Sequence, residues 1–218
     1  MQTIAIISQK GGAGKTTLAI GLASCADQDG KTALIIDADP QATASQWGDW
    51  RESKPPQVID STPPRIAGKV EQARELGADY TVIDTPPHAN NATTSAVDVA
   101  DLVLIPCRPS GFDLSAIRTT AQHVKLAGKP AFVIFTAGAI NAPNIYADAT
   151  ELVRSYGLEV CPHILPDRAS HRHASGAGQT IFEYEPDGKA SQDVRAVYKW
   201  TCKLANMSTN QLKGLKSA

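Results

Sequence analysis

Short apolar runs rich in β-branched residues alternate along this chain with longer stretches in which apolar positions recur every three or four residues. Runs of the first kind predict strands at 4–8, 33–37, 80–84, 102–106 and 131–136, with weaker ones near Val58 and Val160. Stretches of the second kind predict helices at 15–28, 42–50, 66–76, 115–127, 145–156 and 191–205. Strands that alternate with helices form a mostly parallel central sheet with helices on both faces, so the fold class is α/β. Pro-rich breaks at Lys54-Pro55-Pro56, Thr62-Pro63-Pro64 and Thr85-Pro86-Pro87 punctuate the elements, but too few residues separate them for independent cores. One domain over 1–218 is expected, including a helical C-terminal segment from about residue 188.

Composition adds limits. A 218-residue chain with 42% hydrophobic residues can bury one substantial core. The N-terminus runs straight into an apolar strand with no basic leader, and no window approaches a membrane span, so a cytoplasmic protein is expected. Cys25, Cys107, Cys161 and Cys202 are scattered without a Cys-x-x-Cys pair and are read as buried thiols.

The first strand leads into Gln9-Lys10-Gly11-Gly12-Ala13-Gly14-Lys15-Thr16-Thr17, and the first helix follows at once. Glycines at 11, 12 and 14 allow successive backbone N–H groups to curl around phosphate oxygens, and a helix N-terminus brings its positive dipole end to the same point. Lys15 would reach the β- and γ-phosphates, the Thr16 hydroxyl would ligate Mg²⁺, and Thr17 could bond the α-phosphate. Asp84 ends an apolar strand and would hold Mg²⁺ through a water. This is a P-loop arrangement, with ATP and Mg²⁺ as the implied cofactors.

Gln9 stands where the common Gly-x-x-x-x-Gly-Lys-Thr pattern requires glycine, and the sequence from Lys10 to Thr16 instead reads Lys-Gly-Gly-x-Gly-Lys-Thr. That deviant loop resembles the ParA/MinD family of P-loop ATPases. Ile36-Asp37-Ala38-Asp39-Pro40 is similar to that family's second motif, and Val82-Ile83-Asp84-Thr85-Pro86 to its Walker B strand. The likeness continues more weakly through Pro166-Asp167-Arg168 to Glu185-Pro186. The resemblance implies that Lys10 crosses a two-fold interface to the nucleotide of a second subunit, so that a homodimer forms on ATP. It further implies that Asp39 positions the attacking water, that Asp37 lies close to the metal, and that 84–87 is a switch loop. Adenine contacts are placed by the same likeness near Thr136 and in the Pro166-Asp167 turn. Asp39 could otherwise cap the helix after Pro40, and Lys10 could be an ordinary solvated lysine.

The net charge of −1 conceals six basic residues against Asp193 alone after residue 187. Arg195, Lys199 and Lys203 recur every four residues and share a helical face, a row able to follow phosphates without reading bases. Partition ATPases of the ParA type bind non-specific DNA around their C-terminal helices, which adds Arg168 and Arg172 as candidates. His171 and His173 do not share a helical face and are read as surface residues. The function implied by the resemblance is a partition ATPase, nucleoid-associated, stimulated by a centromere-binding ParB-type protein. The P-loop begins so near the N-terminus that the helix-turn-helix domain of larger relatives is not expected. Three other readings stay open: a MinD-like membrane-cycling ATPase, which would need a bulkier apolar tail than Leu212 and Leu215 provide; an iron–sulfur reductase-like relative; and a metabolic ATPase of the same superfamily.

Overall fold

The computed structural model describes residues 1–88, 90–139, 142–205 and 207. Seven strands are present: β1 (Gln2–Ile6), β2 (Ala33–Asp37), β3 (Gln57–Asp60), β4 (Tyr80–Asp84), β5 (Leu102–Cys107), β6 (Ala131–Phe135) and β7 (Glu159–Val160). They form one sheet in the order β3-β2-β4-β1-β5-β6-β7, and every pairing is parallel. The seven-stranded parallel sheet agrees with the fold class expected from the alternation.

Strand side chains alternate between the faces, and each face needs a cover. Ile4 and Ile6 of β1 join the core under α1 (Lys15–Gln28), α2 (Thr43–Trp50) and α9 (Lys189–Ala205), whereas Ala5 and Ile7 join the opposite one. That second core lies under α3 (Ile66–Glu75), α4 (Asn90–Val99), α5 (Gly111–Leu126) and α6 (Pro143–Ser155). Ile4, Ile6 and Ile7 are wholly buried, each stabilising the fold by roughly 1.5–3 kcal/mol. The short helices α7 (Ala169–Gly176) and α8 (Ile181–Tyr184) close the edge beside α1 and α2.

The sequence pattern missed α4, α7 and α8. In α4, Asn and Thr lower helix propensity, yet Ala92 and Ala96, four residues apart, are both fully buried and fix the helix by packing. In α8 a signal was present: Thr180 accepts from the Glu183 N–H while Glu183 accepts from the Thr180 N–H, a capping box spelled Thr-x-x-Glu. Cys25, Cys107 and Cys161 are buried as expected, but Cys202 is half-buried because it sits at the edge of the buried face of α9. Among the described residues no helix is long and apolar enough to cross a membrane. Residues 211–218, on which the membrane-cycling alternative depends, lie outside the described residues.

Candidate functional site

β1 occupies the centre of the sheet, so its carboxyl end is flanked by the ends of β4 and β5. In register, Ile6 faces Asp84, and Asp84 faces Asp37, which places both carboxylates at one sheet edge beside the loop 9–14. Gly12 and Gly14 adopt φ of 70° and 84°, a left-handed conformation that side-chain-bearing residues resist. Gly14 is the N-cap of α1 and offers no side-chain cap, so the first N–H groups of that helix remain available to an anion. From behind, the Thr136 hydroxyl donates to the Ala13 carbonyl at 2.8 Å and pins the loop to the end of β6.

Lys15 is buried, and its ammonium rests 3.5 Å from the Lys10 carbonyl. Burial lowers its pKa, while Asp84 and then Asp39 oppose that shift by their charges. The Thr16 hydroxyl donates to Asp84 Oδ2 at 2.7 Å. Burial pushes the Asp84 carboxyl up to about 7, and the bond from Thr16 only partly offsets this. Its other oxygen, Oδ1, is buried without a hydrogen-bond partner among the described residues. An orphaned carboxylate oxygen beside a threonine hydroxyl and a buried lysine fits Mg²⁺ with a nucleotide phosphate.

Asp37 is engaged differently. Its Oδ1 accepts from the Asp39 N–H at 3.1 Å, and its Oδ2 accepts from the Ser45 N–H and hydroxyl at 2.8 and 2.9 Å. It therefore holds the β2–α2 connection in shape. Asp39 accepts from the Gln41 N–H at 2.9 Å, closing a tight local turn rather than capping α2, whose N-cap is Ala42. Lys10 is half-buried, and its ammonium has no partner among the described residues. Gly11 and Thr17 are exposed.

The CobQ/CobB/MinD/ParA nucleotide-binding domain family matches residues 4–181. The chain belongs to that family. Its relatives include the maintenance of carboxysome distribution protein A of Halothiobacillus neapolitanus, 29% identical over 88% of this chain and 91% of that protein. The chromosome-partitioning ATPase Soj of Thermus thermophilus is 24% identical over 89% and 93%. Among solved structures, the Cyanothece McdA(D38A)–ATP complex superposes with a TM-score of 0.73 at 21% identity, covering 93% of this chain and 96% of that one. The Pyrococcus furiosus cell division ATPase MinD gives 0.75 at 16%, covering 93% and 99%. These likenesses carry the ParA/MinD fold, and the family match carries a nucleotide-binding domain.

In this ParA/MinD-family chain the two regions expected near adenine come together. Thr136 bridges to Leu165, and the Ala137 N–H donates to the Leu165 carbonyl, so the Pro166-Asp167 turn starts beside the end of β6. Thr136 is nearly enclosed and its hydroxyl is committed to Ala13, while Pro166 is buried and Asp167 is ion-paired with Arg172.

Of the candidate DNA-contacting cations, Arg168, Arg172 and Arg195 are engaged by other side chains. Arg168 Nε is 2.6 Å from Asp193 Oδ2, and the Arg195 guanidinium stacks 4.5 Å over the Phe182 ring. Lys199 and Lys203 are exposed on α9 and have no partner among the described residues. His173 is exposed, but His171 is half-buried with its Nε2 enclosed and without a hydrogen-bond partner among the described residues, and burial lowers its pKa. The described residues hold no cluster of three or more His, Cys, Asp or Glu able to bind a metal ion. Sequence reasoning missed Ser45, which holds Asp37, the fixing role of Thr136 on the loop, and Arg108 with Asp113.

Proposed function

We propose that the chain is an ATP-driven switch of the partition type. Two copies would sandwich ATP and Mg²⁺, and the dimer would bind DNA without sequence preference. A centromere-binding ParB-type protein would stimulate the hydrolysis that releases it. Lys10 carries this reading. Lys15 already occupies the phosphate end of its own loop, which leaves the unpartnered Lys10 ammonium to neutralise charge on a second subunit's nucleotide. Such a ligand becomes part of the interface, so dimerisation depends on it.

Within one subunit, the N–H groups of 11–14, Lys15, Thr16 and Thr17 would bind the phosphates, and Thr16 with Asp84 would hold the metal, with Asp37 behind a water. A Mg²⁺ ion held there would supply neutralisation of the phosphate charge. Asp39, near enough to Lys15 to affect its titration, would orient the attacking water. The exposed pair Lys199 and Lys203 supports a DNA surface of low base specificity on α9. The protein would then be cytoplasmic and nucleoid-associated.

A second reading of the cargo is favoured by two relatives named for carboxysome distribution, at 29% and 28% identity. On that reading the same nucleotide switch and DNA surface position a protein assembly instead of a plasmid or chromosome. DNA binding measured with ATP, with ADP and without nucleotide across a salt titration tests the shared part. Binding that requires ATP and weakens steeply with salt supports it. ATP-dependent recovery on liposomes with no DNA binding would replace it with a membrane-cycling ATPase.

A further inference from the structure

Arg108 follows β5 directly, and β5 is hydrogen-bonded to β1 on the side opposite β4. The phosphate loop therefore has Asp84 on one flank and Arg108 on the other. Arg108 Nη1 lies 4.0 Å from the point where a Cβ on Gly12 would stand. Its Nε donates to Asp113 Oδ1 at 2.9 Å, and Asp113 is buried in the first turn of α5, where its Oδ2 also accepts from the Ser110 hydroxyl at 2.6 Å. The guanidinium is thus aimed by a fixed carboxylate. Its Nη donors have no acceptor among the described residues, and its side chain is 41% exposed. A guanidinium presents its N–H groups as a planar fork matched to phosphate oxygens.

The end of the triphosphate it would meet follows from Lys15. That side chain, which serves the β- and γ-phosphates in a P-loop, rests against the Lys10 carbonyl, so the terminal phosphate belongs at the start of the loop, near Gly11 and Gly12. We propose that Arg108, oriented by Asp113, is a phosphate-binding residue that contacts the terminal phosphate of ATP and so distinguishes ATP from ADP. The proposal rests on the nucleotide-switch reading above. It differs from a purely structural role, in which the Arg108–Asp113 pair only fastens the β5–α5 turn.

Binding of a non-hydrolysable ATP analogue and of ADP, each with Mg²⁺, separates the two. Arg108→Ala is expected to weaken the ATP analogue about tenfold or more and ADP less than about threefold, whereas any loss of stability from the broken pair with Asp113 would affect both nucleotides alike. Arg108→Lys, which keeps the charge and guards against a folding defect in the alanine variant, should restore part of the loss. Asp113→Asn should show an intermediate preference because it releases the guanidinium. Equal losses for both nucleotides, or an ATP-analogue affinity within twofold of wild type in Arg108→Ala, would overturn the proposal while leaving the switch reading standing. A wild-type chain that binds neither nucleotide overturns both.

Discussion

The hydroxyl of Thr16 and the carboxylate of Asp84, 68 positions apart in sequence, meet at 2.7 Å, leaving the second Asp84 oxygen enclosed without a partner among the described residues. Burial is the largest influence on this carboxyl and raises it to about 7, so below that pH the nucleotide-free fold favours the protonated form.

A pH dependence follows. The stabilising preference for protonated Asp84 is complete below the unfolded-state value near 4 and is lost as pH rises through about 7. Across that window the nucleotide-free protein should lose stability on the order of 4 kcal/mol through this group. Asp84→Asn should remove the loss, and urea denaturation of both proteins at pH 5 and pH 8 should show roughly 3 kcal/mol of it, the rest having been lost between about pH 4 and 5. Parallel pH profiles for wild type and variant would show that the carboxyl is not held protonated.

Arg51, the C-cap of α2, ties the end of that helix to Gly178 and Glu183. It is 3% exposed, pairs with both oxygens of Glu183 at 2.7 and 3.2 Å, donates to the Gly178 and Lys54 carbonyls and to that of Pro55, and stacks over Trp47. Arg51→Ala should destabilise by about 3 kcal/mol, because several buried carbonyls lose their donor at once. Glu183→Gln should cost less, since that side chain is partly solvated. Denaturant midpoints check the order, and equal or reversed effects would show that the guanidinium is not the hub.

On α9, Lys199→Glu with Lys203→Glu should weaken DNA binding at least tenfold and reduce its salt slope by about two, with nucleotide affinity unchanged. Arg168→Gln should act mainly on stability, because Arg168 is already paired with Asp193. Binding isotherms at several salt concentrations decide this. An unaltered slope in the double lysine variant removes α9 from the DNA surface.

What could be read from the sequence was what is local. The glycine pattern, Lys15 and the carboxylates ending apolar strands were legible because strand, loop and helix are consecutive there. Arg108 was not, because its meaning depends on β5 lying next to β1, a fact of sheet order. The roles of Asp37 and Thr136 as holders of loops depend likewise on Ser45 and Ala13 arriving nearby. The cationic surface shows the same limit: charge was visible in sequence, but the placement of Asp193 against Arg168 and of Phe182 against Arg195 was not.

The assembly state with nucleotide bears most directly on the claim that ATP joins two subunits through Lys10. Light scattering on a sizing column, with Mg²⁺ and a non-hydrolysable ATP analogue, should give a dimer for wild type and a monomer for Lys10→Ala, with ADP leaving both monomeric. Asp39→Ala should give a persistent dimer with ATP itself, because hydrolysis is blocked while binding is kept. A wild-type protein that takes up the analogue and remains a monomer would contradict the account.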